Sequence, residues 1–118
     1  MSESLLNQVR DLLASRTDVA EQRSIGGSRT FTVAGNMLGG VGKKGLMVRV
    51  GPERYEWALA QPHITPLVMG NKRPIGYVYV GEQALADDGA LELWIGHALR
   101  FVLTLPPKAR RTTSRSRS

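Results

Sequence analysis

The chain has 118 residues, is 42% apolar and lacks cysteine, so it can bury one hydrophobic core but not two, and it excludes both disulfide frameworks and thiolate zinc sites. Its net charge of +6 is gathered at one end, where Lys108, Arg110, Arg111, Arg115 and Arg117 stand without an acid and leave eleven basic against ten acidic residues over 1–107. No apolar run approaches the roughly 20 residues needed to span a bilayer, and acidic Glu3 and Asp11 stand where a targeting peptide would be basic, which predicts a cytoplasmic protein with no membrane partner.

Leu5, Leu6, Val9, Leu12 and Leu13 form one apolar stripe and predict a helix over residues 4–15, capped by Ser2 or Ser4, with Glu3 suited to its positive end. From Val19 to Val50 the period falls to two: Phe31 and Val33 alternate with Thr30 and Thr32, and Leu46, Val48 and Val50 alternate with Met47 and Arg49. These are half-buried antiparallel strands, punctuated at Gly26-Gly27, Ala34-Gly35-Asn36 and Gly42-Lys43-Lys44-Gly45.

Gly51-Pro52 opens a short helix with Tyr55, Ala58 and Leu59 on its inner face, ending before Pro62. Strands are predicted over 65–69 and 75–80 around a polar turn at 70–74. A last helix over 88–104 carries the stripe Leu91, Ile95, Ala98, Leu99 and Val102, widened by Trp94 and Phe101, with Asp87 or Asp88 as its cap and Pro106-Pro107 as its stop. The expected class is α+β in the order α-β(3-4)-α-β(2)-α, with a folded domain over 1–107 and a disordered basic tail over 108–118.

The stretch "GNMLGGVGKKG" contains Gly40, Gly42 and Gly45 in a G-x-G-x-x-G spacing with two lysines inside. A dinucleotide fingerprint needs a helix leaving the glycines, so that the helix N-terminus receives the pyrophosphate, and an acid about 20 residues on. Here the exit "GLMVRV" is a strand, the acid is missing, and a P-loop is excluded by Lys44 and Met37 at its key positions. The stretch reads as a hairpin in which glycines supply positive φ in two neighbouring turns, and no cofactor is expected.

The other candidates are equally bland. His63 reads as a solvated loop residue and His97 as an edge-of-core histidine, either serving as a general base only if a nucleophile met it in space. Ser24 and Ser28 lack an elbow motif, and Asp87-Asp88 read as a cap. Tyr77 and Tyr79 alternate with Val78 and Val80, predicting a strand buried on both sides with a partly wet tyrosine face rather than a base-stacking platform. The tail's five basic side chains are the nucleic-acid candidates, and the tail reads equally as a disordered, solubilising end or as an arm making weak contacts to phosphate without base reading.

The stretches "GGSRTFTVAGNML", "GLMVRVGPERYEWALAQP", "RPIGYVYV" and "LWIGHALRFVLTLPPK" resemble the TfoX/Sxy family, specifically its N-terminal domain, over nearly everything up to Lys108. Its motif positions here are Gly26, Gly27, Phe31, the Gly35-Asn36-Met37 turn, Gly45 to Pro52, Tyr55, Pro66, Pro74, Trp94 and the closing Leu-Pro-Pro. Ser24-Ile25 replaces the family's Met-Phe before the two glycines. The resemblance implies structural roles for these positions, with an antiparallel sheet packed on helices in two layers, similar to secretion-chaperone-like domains.

Family founders are competence regulators that work with the transcription machinery through a chain with a second, helical domain, where this sequence has its basic tail. The expected function is thus a non-enzymatic regulatory or interaction protein with an unnamed protein partner, a homodimer being left open. A nucleic-acid-associated protein acting through the tail is the alternative, and an enzyme built on His97 or His63 comes third.

Overall fold

A computed structural model describes residues 2–23, 28–43, 45–68, 70–86 and 89–107. The predicted Gly26-Gly27 turn, Lys44, the Asp87-Asp88 pair and the basic tail lie outside the described residues.

The amphipathic N-terminal stripe forms α1 (Ser2–Leu13). Four strands follow: β1 (Val19–Arg23), β2 (Arg29–Val33), β3 (Asn36–Gly42) and β4 (Gly45–Arg49). A 3-10 turn at Pro52–Arg54 then runs into α2 (Tyr55–Leu59), and the chain returns to the sheet as β5 (Ile64–Pro66) and β6 (Tyr77–Val80) before α3 (Ala90–Val102). All pairings in the resulting six-stranded sheet are antiparallel, in the order β1-β2-β3-β4-β6-β5. The fold is α+β. Pro66, which cannot donate to a ladder, sits in edge strand β5, where only one side is paired.

One face of the sheet is apolar because alternate side chains point the same way. Val48 and Val78 are register partners, as are Leu46 and Val80, and all four are buried beneath α1 and α3, which lie over β3 and β4. Val9 and Leu13 from α1, Ala58 from α2, and Leu91, Trp94, Ile95, Ala98 and Val102 from α3 complete the core. On the opposite face Thr30, Gly40, Met47, Tyr79 and Thr65 form one row across five strands, and the tyrosine side of β6 is half-buried as expected.

The glycine-rich stretch departs from expectation. Residues 36–42 are a strand, and only the short turn between Gly42 and Gly45 reverses the chain. Gly40 and Gly42 have no positive φ; Gly45 does, at 112°. Gly39 and Gly40 are glycines because backbone crowds them: a Cβ at Gly39 would strike the Met47 carbonyl oxygen, and one at Gly40 would lie 2.5 Å from the Arg29 carbonyl oxygen. The register slips between Phe31–Gly39 and Thr32–Met37, so Leu38 is an extra residue on β3, and as a bulge it is turned into the core.

Three element boundaries also differ. The expected strand at 65–69 is the shorter β5, and the one at 75–80 begins only at Tyr77, because Gly76, at φ 96°, turns its carbonyl to accept from the Val50 and Gly51 amides. The N-cap of α3 is Gly89, left-handed at φ 83° and without a side-chain cap, rather than Asp87 or Asp88. Asn36, expected in a turn, opens β3 and is the buried polar residue of the core: its Nδ2 donates to the Pro106 carbonyl at 2.9 Å, joining the sheet to the end of the last helix.

Candidate functional site

α2 is short, and Ala58 is its buried side, so Trp57 on the neighbouring position is turned outward and keeps 43% of its surface exposed. It leans on α3, with its ring centroid 4.9 Å from His97 and 5.6 Å from Trp94, while Trp94 and His97 are 5.8 Å apart in tilted geometries. Trp94 belongs to the core, so His97 is held between a buried and an exposed indole.

That enclosure shapes its electrostatics. His97 Nδ1 is shielded from solvent and has no hydrogen-bond partner among the described residues. Burial, reinforced by the positive charges of Arg54 and Arg100, holds the imidazole pKa below its ordinary value and so favours the neutral ring. The edge-of-core reading of His97 holds. His63 is exposed in its loop, as expected, with a positive φ of 64° and its carbonyl accepting from the Gly81 amide at 3.0 Å.

Beside His97, the outer side of α3 forms a shallow groove of about 310 Å³ lined by Gly89, Glu92, Leu93, Gly96, His97 and Arg100. Leu93 is 56% exposed within it, and Leu103, just beyond the helix, is 51% exposed. Trp57 and Leu93 thus give this corner apolar surface edged with Glu92, Arg54 and Arg100. Such an arrangement suits binding to another surface. Among the described residues no group of three or more His, Asp or Glu side chains is placed to hold a metal ion.

Gly26 and Gly27 lie outside the described residues, and the described residues of the family motif are spread through the framework rather than gathered at this corner. Phe31 is in the core, Gly35 in the β2–β3 turn, Met37 half-buried on β3, Gly45 at the start of β4, Pro52 exposed at the head of the 3-10 turn, and Tyr55 half-buried on α2. Trp94 alone joins the aromatic cluster. The glycine before Pro52 supports the packing: Gly51, at φ 93°, faces the Phe101 ring, and a Cβ there would lie 2.5 Å from the ring. Arg49 stacks between Tyr77 and Phe101, at 5.4 and 5.3 Å from the two ring centroids. Lys108, Arg110, Arg111, Arg115 and Arg117 lie outside the described residues.

Sequence reasoning missed Trp57, Leu93, Gly96, Arg54 and Arg100. Two signals were present: Leu93 falls opposite the buried stripe of α3, and Gly96 is a poor helix former in the middle of that helix.

A six-stranded antiparallel sheet with three helices and an aromatic, partly apolar corner defines a small α+β module. The chain belongs to the TfoX N-terminal domain family, whose model matches residues 11–102. No curated protein and no solved structure matches the chain. Among the described residues no helix is long and apolar enough to cross a membrane.

Proposed function

We propose that this protein is a non-enzymatic regulatory protein of the TfoX N-terminal type, linked to transcription or competence in the cytoplasm and acting by contact with a protein partner. Membership of the family supports the regulatory role. The observation that carries the contact mechanism is the Trp57–Leu93 corner, where an indole and a leucine remain exposed beside an aromatic cluster. A photo-crosslinking residue in place of Leu93 should yield one dominant adduct that is lost in Trp57→Ala. The same residue in place of Thr65, which is exposed on the sheet face opposite the helices, should not yield it. Equal adducts from both positions would defeat the contact mechanism.

A second reading rests on the tail, whose five basic residues are uninterrupted by an acid. We infer that the folded unit spans 1–107 and that residues 108–118 are a disordered arm binding duplex DNA through phosphate alone. The logarithm of the binding constant should then fall with the logarithm of salt at a slope of roughly −4 to −5. A chain truncated after Pro107 should keep its melting temperature and lose the mobility shift. Binding that survives truncation, or that prefers one sequence, would overturn this reading.

A further inference from the structure

Gly96 occupies the middle of a 13-residue helix, where glycine is less favourable than alanine, and nothing among the described residues calls for it. A Cβ built there meets no atom within 4 Å. A glycine that the fold does not require, on an outward helix face, permits another backbone to approach closely.

The residues at equal distances on either side of it are opposite in charge and in size. Glu92 precedes Gly96 by four residues and Arg100 follows it by four, each about 6 Å along the helix axis. Neither forms an ion pair among the described residues. Seven residues before Gly96 stands Gly89, with open space where a Cβ would be; seven after stands the exposed Leu103. An antiparallel copy of this face therefore offers acid to base and leucine to glycine in both directions at once, the self-complementarity that a two-fold interface requires. Trp57 and Leu93 supply apolar surface at its border.

We propose that the outer face of α3 is a self-association surface: a second copy crosses it antiparallel with the two Gly96 positions at the crossing and each Glu92 against the partner's Arg100. This deepens the reading of the Trp57–Leu93 corner as a contact surface and rests on it.

Sedimentation of the full chain over about 1 to 300 μM should show a reversible monomer–dimer equilibrium. Gly96→Arg, whose side chain has room in the monomer, should weaken association by about a hundredfold while leaving the circular dichroism and melting curve folded. Glu92→Arg alone and Arg100→Glu alone should each self-associate about tenfold more weakly, and mixing those two variants should restore tight association as a heterodimer. A dimer indifferent to Gly96→Arg, or single-charge variants that do not complement, would overturn the proposal. A chain monomeric throughout whose Leu93 cross-linker still captures one other protein overturns the dimer and leaves the contact surface standing. A monomer without such an adduct overturns both.

Discussion

Ala34 and Gly35 form the two-residue turn between β2 and β3, with φ of 51° and 84°, as a type I′ turn requires. For Ala34 this left-handed conformation is strained by its own Cβ, and its position is kept by the amide donating to the Asp18 carbonyl at 2.8 Å. Ala34→Gly should therefore stabilise the fold by about 0.5–1 kcal/mol, seen as a rise of a few degrees in Tm; a fall would show that the alanine methyl makes a packing contact worth more than the strain. Gly39 is the converse case. Gly39→Ala forces a methyl into the Met47 carbonyl across the β3–β4 pair, where both partners are backbone and neither can rotate away. It should cost about 2–3 kcal/mol and lower Tm by roughly 10 °C, and a variant melting within about two degrees of the parent would refute the crowding argument.

At the scale of elements, the joint between β3 and the end of α3 depends on one amide. Asn36 is 3% exposed and donates to Pro106 from the far end of the chain, so Asn36→Ala leaves a carbonyl short of its partner and a small void. A loss of about 1–3 kcal/mol is expected in denaturant unfolding, with faster amide exchange in the last turn of α3. An unchanged midpoint would mean that solvent replaces the bond. By contrast, the Arg10–Glu21 pair that ties α1 to β1 at 2.7 Å lies on the surface and contributes little, since exposed ion pairs are typically worth below about 1 kcal/mol.

For the molecule as a whole, pH dependence separates by group. Folding lowers the pKa of His97, so the stability that comes from keeping it neutral is complete above its ordinary value of 6.5 and is lost as pH falls through and below that value. Glu21 and Asp18 are also lowered, through hydrogen bonds from Arg10 and Arg16 respectively, and their contributions are lost only at lower pH, below ordinary values of 4.5 and 3.8. Melting temperature should thus decline already between about pH 7 and 5, and His97→Gln should flatten that decline while leaving the steeper acid limb in place. The same slope in the variant would assign the decline to another group. Direct titration of the His97 ring by NMR should give a midpoint below 6.5.

Local pattern determined α1, β4, β6 and α3 from the sequence itself, because each alternates or repeats on a single face: Val9 and Leu13, Leu46 and Val48, Val78 and Val80, and Leu91, Ile95 and Ala98 are buried where their spacing placed them. The absence of a helix after the Gly40–Gly45 spacing was legible for the same reason, since "GLMVRV" already reads as a strand. The strand character of β3 was decided by tertiary structure. Its period is broken by the bulge at Leu38, and Gly39 and Gly40 answer to carbonyls of neighbouring strands rather than to turns. The candidate site was likewise hidden. Trp57 and His97 are forty residues apart on helices whose local patterns say nothing of each other, and only the packing of α2 and α3 over one sheet brings their ring centroids within 4.9 Å and shields the imidazole Nδ1 from solvent.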